Sequence, residues 1–539
     1  MQAELEPSAQ TAPESRAAPR SFSHRWFTPL LLTAFSIFYF TDVLLRASAK
    51  YFWFDEIFTL YLSRLSPGEL WTALEAAVDN NPPLFYWFTK AGIALAGENR
   101  IGLRLPEVIA FWVFCLCAFW FVNRRAGVVA GFIAMVFPLF TGAFFYAYDA
   151  RPHGIVLGFA GLCVICWEKV QQGGRRRGLW LVLMSLVLFA AFMNHCYAVV
   201  LVIPFALVEL FNTATARRPD AGVWAALVLP VLAVVPVYLP LLRGVHQLLQ
   251  GTMHASVFPA NWQQVARFYH FLLDPAFLMV LTAFAFAFIG TFVGGPRPIV
   301  VAVRDFVLAL GFLALPAAGV VLGKAVHAPY VYRYFLSALL GVVFLLAVLF
   351  RGYALSRRNL IGLAFATVLA VYWMYSFSHL LWRHAAHRLY YPYTSIALDT
   401  TPGRPLANES LLFSATDTSI PIGTQDEDRF LRVAYYSPEL SRRLYHFSKP
   451  ELEHEYRLLQ RFERWGPPYN PPETYNEFFG AHPRCYIYGG DEIVDIVSDL
   501  MRQGWRLTSL QMFEGQSLAM VEHAATSAPR AGTDRHAVQ

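Results

Sequence analysis

Charge is what this sequence has least of. Only 15% of its 539 residues are Asp, Glu, Lys or Arg, where soluble domains carry about 25%. So little charge excludes both a soluble globular chain and a disordered one. The formal net charge of +6 is not gathered into a basic patch, so nucleic acid is not an expected partner. Cysteine is scarce as well, with six residues. Cys115, Cys117, Cys163, Cys166 and Cys196 fall in or beside apolar runs, where Cys acts as a small hydrophobe. Cys163 and Cys166 form a C-x-x-C with no second pair, which does not make a zinc site. Cys485 stands alone in the polar C-terminal region, which excludes a disulfide framework there. The chain has no internal repeat, and its first twenty residues have no apolar core. They read as a disordered tail, not a signal peptide.

Apolar residues fill the place of charge. They make up 56% of the chain, and Phe alone contributes 46. A spanning helix needs roughly 20 mostly apolar residues. Runs that approach this length lie at about 26–45, 105–122, 127–147, 154–170, 179–194, 197–211, 222–242, 269–293, 306–323, 334–350 and 359–378. The pairs and triplets Arg124-Arg125, Arg175–Arg177, Arg217-Arg218, Arg297 with Arg304, and Arg351 with Arg357-Arg358 occupy alternate loops. The positive-inside rule places them in the cytoplasm with the N-terminus. The expectation is an α-helical polytopic membrane protein of about eleven transmembrane helices, with a small extracytoplasmic α/β domain at its C-terminus.

Four regions follow: a tail at 1–25, a membrane domain at 26–380, an external domain at 381–524 and a second disordered tail at 525–539. The first external loop, 46–103, is too long for a simple turn. Ser66-Pro67-Gly68-Glu69 reads as a capping box that starts a short interfacial helix to about Val78. Asp79-Asn80-Asn81-Pro82-Pro83 stops it, and Leu84 to Leu95 reads as a second interfacial helix. In the external domain, Pro402–Pro405 reads as a linker and Cys485–Tyr488 as a buried strand. Asp491–Gln503 reads as a helix, and the residues on either side of Glu514-Gly515 as a hairpin.

On this topology the ionisable groups at one membrane face come from separate segments. Asp55 and Glu56 follow the first span, and taken alone read as a solvated loop pair. Asp149, Arg151 and His153 lie between the third and fourth spans, and His195 lies at a hairpin tip. Lys324, His327, Arg333 and Tyr334 precede a late span. Carboxylates in one group and cations in another suit a reaction with a base and an anionic leaving group.

The order of motifs carries a resemblance. Asp55-Glu56 is followed by Asn81-Pro-Pro-Leu-Phe-Tyr-Trp87, then Gly102-Leu-Arg-Leu-Pro106, then Tyr148-Asp-Ala-Arg151. This resembles the GT-C class of membrane glycosyltransferases. Within the class it looks like the dolichyl-phosphate-mannose–protein mannosyltransferase group (glycosyltransferase family 39), and like the bacterial transferases of aminoarabinose or galacturonic acid onto lipid A and core sugars. The resemblance implies an inverting transfer from a polyprenyl-phosphate-linked sugar to a glycan, lipid or protein hydroxyl, outside the bacterial inner membrane. It implies Asp55 as the base or acceptor-orienting acid, with Glu56 and Asp149 as further acids. Arg333 would lie near the lipid phosphate, with Arg151, His153, His195, Lys324, His327, Tyr334 and Asn81 as substrate-binding residues. Asn81 stands where aminoarabinose transferases usually carry Lys or His. No metal or cofactor is required by charge arithmetic, although hard oxygen ligands at Asp55, Glu56 and Asp149 would suit a divalent cation. The rival expectation is a multi-pass transporter without transferase chemistry.

Overall fold

The computed structural model describes residues 22–249, 259–294, 302–326, 330–351, 359–385, 406–415, 417–448, 453–513 and 515–523. Most of the N-terminal tail, the Pro402–Pro405 linker, the tail from 525 and His327 lie outside the described residues. Helices dominate, and several are long and apolar enough to make this a multi-pass membrane protein. Among the described residues, six helices meet the length and hydropathy of a span, the first of them Phe27–Ala49. Two bent pairs, Gln263–Leu273 with Phe277–Ile289 (81°) and Val303–Leu313 with Leu315–Ala325 (49°), make the number eight when each pair is counted as one broken span. Val128–Phe140, Arg177–Phe192 and Tyr332–Leu346 are apolar but shorter. Every expected apolar run thus falls on a helix. Length and composition alone mark fewer than eleven as spans, because bends and 3-10 turns interrupt the others.

The first five helices build the region around the acid pair. They are α1 (Phe22–Ala49), α2 (Phe54–Arg64), α3 (Pro67–Glu75), α4 (Pro83–Ala96) and α5 (Arg100–Ala126). The capping box forms as expected, with Glu69 N donating to Ser66 Oγ at 3.4 Å and Ser66 N donating to the Glu69 carboxylate at 3.0 Å. The helix it starts ends at Glu75, earlier than Val78. The segment 54–64 differs from expectation in kind. It is helix and not loop, with Asp55 and Glu56 in its first turn. Its N-cap residue, Trp53, offers no side-chain cap, which removes the usual sequence signal for a helix start.

Helix 153–172 packs along α5 at close range through a small-residue stripe. Against α5, a Cβ on Gly154 would meet Glu107 Cβ at 3.1 Å, and one on Gly158 would meet Ala110 O at 2.6 Å. The four-residue spacing of these glycines puts both on one helix face, where they let the two backbones approach. The approach brings the start of helix 153–172, with Asp149 and Arg151 just before it, against the N-terminal end of α5.

The C-terminal region contains a six-stranded sheet in the order β3-β2-β1-β4-β6-β5. The strands are β1 (Ile422–Thr424), β2 (Leu444–Ser448), β3 (Glu473–Thr474), β4 (Arg484–Gly489), β5 (Trp505–Phe513) and β6 (Gln516–His523). β1, β2, β3 and β4 pair in parallel, and the β5–β6 hairpin closes the sheet antiparallel to β4. The expected strand, helix and hairpin all form, the helix spanning Ile493–Arg502. This small α/β region seats on α2. Phe58 stacks on Phe462 with ring centroids 3.9 Å apart, and Leu431 and Phe462 are buried in the same core as Ile57 and Leu60.

The two glycine environments set up a direct test. Gly158→Leu should destabilise by about 1–3 kcal/mol through overpacking against Ala110. Gly178→Ala has open space within 4 Å and should leave stability unchanged or slightly raised. Thermal unfolding of the two variants in one detergent checks the contrast.

Candidate active site

The acid pair belongs to two tiers of charge, and its two members have different partners. The inner tier is fully enclosed. Arg104, near the start of α5, spends all five of its N–H donors: Nε on Glu56 Oε1 (2.7 Å), Nη1 on the carbonyls of Ala47 (2.5 Å) and Lys50 (2.7 Å), and Nη2 on Tyr51 O (3.2 Å) and Glu56 Oε2 (2.5 Å). Glu56 also accepts from Ala150 N at 2.8 Å and faces Lys50 Nζ at 3.4 Å. Lys50 pairs with Asp149, which takes a further bond from Trp53 Nε1 at 2.9 Å. Burial works against the charge on Glu56, yet the Arg104 and Lys50 cations outweigh it and hold this carboxyl below the usual range.

The outer tier reaches the surface. Asp55 lies 3.5 Å from Arg151 Nε and 3.2 Å from Arg333 Nη2, with its side chain 15% exposed and that of Arg333 26% exposed. Arg151 is clamped from its other side by Asp79, at 2.8 and 3.2 Å. Asp79 also accepts from the Tyr86 hydroxyl at 2.7 Å and from Asn81 Nδ2 at 3.2 Å. Burial resists ionisation of Asp79 too, but Arg151 keeps its carboxyl low. Within this tier Asp55 Oδ2, Arg151 Nε and Arg333 Nε are buried atoms without a hydrogen bond of good geometry. Asp55 Oδ2 is thus held by ion-pair contacts to Arg151 Nε and Arg333 Nη2 and not by hydrogen bonds, which leaves hydrogen-bonding capacity in this tier for a polar ligand.

An aromatic wall adjoins the cations. His195 lies 4.6 Å from Tyr334 and 5.2 Å from His153 between ring centroids, and Tyr197 lies 4.7 Å from Tyr334. His195 Nδ1 accepts from Tyr197 N at 3.2 Å, so its proton sits on Nε2. Burial first, then the neighbouring Arg151 and Arg333 charges, lower its pKa to about 3. His195 therefore contributes a neutral ring and one donor, not a cation.

Of the residues expected at the site, Asp55, Arg151, His153, His195, Arg333 and Tyr334 come together. Glu56 and Asp149 lie one layer deeper, and Asn81 is a buried support for Asp79. Lys324 is exposed and lies over the Trp262 ring at 5.7 Å, away from these contacts. The expected segregation of acids from cations does not occur. They interleave, because enclosed charges must be paired. Lys50, Arg104 and Asp79 were not foreseen. A lone Arg near the start of an apolar span, which needs an acid, was the available signal. Among the described residues no group of three His, Cys, Asp or Glu side chains is arranged to hold a metal. The three candidate acids do not fit one either, since each is already engaged by cations.

Helices enclose a charged tier and an α/β region seats on α2, and the likenesses to known proteins identify this arrangement as the GT-C fold that the motif order anticipates. A family profile described as dolichyl-phosphate-mannose-protein mannosyltransferase matches residues 80–239, which contain Asn81, Arg104, Asp149 and His195. The fold is similar to that of ArnT from Cupriavidus metallidurans in the apo state, at TM-score 0.54 and 13% identity over 94% of this chain and 100% of that one. It is similar also to the same protein bound to undecaprenyl phosphate, at TM-score 0.51 and 13% identity over 94% and 99% of the two chains. No curated protein sequence matches.

Two outcomes follow from the tiers. Arg104→Met leaves Glu56 buried against only part of its partners and should cost about 3–5 kcal/mol, while the Arg104→Met/Glu56→Gln pair should recover part of that loss. Unfolding midpoints of the three proteins check it. His195 is neutral in the fold, while its unfolded pKa is 6.5 and its folded one about 3. The unfolded state then binds one more proton between these values, and stability falls as pH drops through that window. The wild-type midpoint should fall further than that of His195→Asn between about pH 7 and about pH 4.5.

Proposed function

We propose that the protein is an inverting glycosyltransferase that moves a sugar from a polyprenyl-phosphate-linked donor to an acceptor hydroxyl at the external face of the bacterial cytoplasmic membrane. The observation that carries this reading is a half-buried Asp55 bridging Arg151 and Arg333 through ion-pair contacts of 3.5 and 3.2 Å that are not hydrogen bonds. The solved ArnT complex with undecaprenyl phosphate supports the donor class.

The outer tier is neutral as it stands, with two acids and two guanidiniums. An arriving donor phosphate makes it net negative, and Arg333, the more exposed of the two cations, exchanges Asp55 for the phosphate oxygens. A guanidinium binds phosphate with two charge-assisted bonds. The freed carboxylate is then placed to take the acceptor proton. The acceptor oxygen attacks the anomeric carbon from the face opposite the phosphate, and the C–O bond to phosphate breaks. The polyprenyl phosphate leaves with the electron pair, and the hydroxyl proton passes to Asp55. Asp79 keeps Arg151 beside the reacting atoms, and the His195–Tyr334–Tyr197 rings offer a sugar an aromatic face. Glu56 and Asp149 act as supports. No step passes through a metal.

Sidedness is supported by α5. Arg125, near its far end, pairs with Asp305 and Glu168, 21 residues from Arg104. At 1.5 Å per residue these clusters stand about 30 Å apart, the thickness of a hydrocarbon core. Arg125 belongs to the basic loops that read as cytoplasmic, which leaves Asp55 outside.

Purified protein given a labelled polyprenyl-phosphate sugar tests the reading. Turnover in detergent without vesicles is expected; uptake that requires sealed vesicles would favour the transporter instead. Asp55→Asn should cut kcat by about 10²-fold or more with the fold intact. Arg333→Lys should chiefly raise KM for the donor. A folded Asp55→Asn protein that keeps full activity removes Asp55 as the base.

A further inference from the structure

Helix α2 carries Asp55 but does not cap itself. Its first backbone donor, Phe54 N, gives its hydrogen bond to Asp428 Oδ1 at 2.9 Å. Two residues earlier, Phe52 N donates to the Tyr436 hydroxyl at 2.7 Å. Both acceptors sit on helix Glu427–Tyr436 of the C-terminal region. That region therefore supplies the cap which the local sequence 50–53 lacks.

The cap is rigidly backed. The other oxygen of Asp428 pairs with Arg432 Nε at 3.1 Å, and Arg432 Nη2 donates to Glu409 at 2.6 Å. Glu409 also takes the hydroxyl of Tyr488, on β4. A chain of polar groups, buried from Tyr488 to Arg432 and half-buried at Asp428, thus runs from the sheet to the backbone of the first turn of α2. Nearby, Tyr51 meets Tyr436 edge-on at 5.6 Å and Phe52 meets Tyr435 at 5.8 Å. Arg461 Nη1 donates to Ala76 O, just past α3, at 2.6 Å. The only residue between Phe54 and the buried anchor Glu56 is Asp55.

We propose that the C-terminal domain is a positioning element of the active site, with Asp428 and Tyr436 fixing the backbone at 52–54 from which Asp55 is aimed at Arg151 and Arg333. The proposal rests on the transferase reading for its kinetic consequence, though not for its structural one. Neither residue touches the reacting atoms. A shift of the α2 start by a fraction of a turn would move the Asp55 carboxylate off both guanidiniums while Glu56 still anchored the helix.

The test compares the full-length wild type with Asp428→Ala/Tyr436→Phe, with Asp428→Asn, and with Glu477→Ala. Asp428→Asn keeps an acceptor for Phe54 N. Glu477→Ala removes an unrelated capping box in the same domain. With a polyprenyl-phosphate sugar donor, the double variant should lose about tenfold or more in kcat and change KM for the donor less than about twofold. Asp428→Asn should restore most of kcat, and Glu477→Ala should keep the wild-type value even with a lowered unfolding midpoint. Amide hydrogen exchange over 52–58 should rise in the double variant and stay low in the other two. An unchanged kcat in the double variant, or an equal loss in Glu477→Ala, overturns the proposal. A wild type that transfers no donor sugar overturns the functional reading instead. The exchange comparison then decides: unchanged protection over 52–58 refutes the positioning, and a rise confined to it upholds the positioning.

Discussion

The buried pair of Arg104 and Glu56 is the interaction on which the rest of the architecture leans. Enclosing two ions costs several kcal/mol each even after relaxation, and that penalty is offset here only because every guanidinium donor is used. The same geometry fastens the end of α1, the start of α2, the start of α5 and the backbone at Ala150 to one point. Successive residues on a helix project about 100° apart. With Glu56 held inward, its neighbour Asp55 has little freedom over where it points. The inner ion pair thus sets the direction of the outer acid.

Two adjacent carboxylates consequently have different chemistry. Glu56 is surrounded by fixed cations and donors that leave no room for exchange. Asp55 sits at the rim against Arg333, whose partly open side chain can trade one anion for another. A neutral four-group cluster with unsatisfied edges is suited to receive a charged ligand and return to its resting pairing afterwards. The deeper tier, equally balanced, is suited to remain as it is.

Much of this was legible in the sequence, for reasons that differ by region. The apolar runs, the Ser66–Glu69 box and the Asp491–Gln503 helix are written in local periodicity and capping chemistry, and each appears at its place. Asp55, Arg151, His195 and Arg333 were recognisable as one group because the positive-inside reading of the alternate basic loops puts all four at the same end of the spans, and the fold does bring them together. Their pairing was not legible. Lys50, Arg104 and Asp79 sit at the edges of apolar or turn segments and look like interfacial anchors until the fold brings an acid to each. The helix at 54–64 was missed for a cleaner reason. Its capping acid is Asp428, 374 residues beyond Phe54, and no local pattern carries that information. The bends in the 263–289 and 303–325 segments, by contrast, carry a local mark, since Pro275 and Pro316 stand at the two breaks.

Helix α5 has a further consequence, because both of its ends are tied to ions. Arg104 is locked into the inner tier at one end and Arg125 to Asp305 and Glu168 at the other, with an apolar stretch of about 30 Å between them. Neither anchor can slide to suit the surrounding lipid without breaking a charged pairing, so α5 works as a ruler. In a bilayer thinner or thicker than its span, the cost of mismatch, a fraction of a kcal/mol per Å, falls on the membrane or on the tilt of the whole bundle. Host-lipid chain length therefore becomes a physical variable of this protein alongside its substrates.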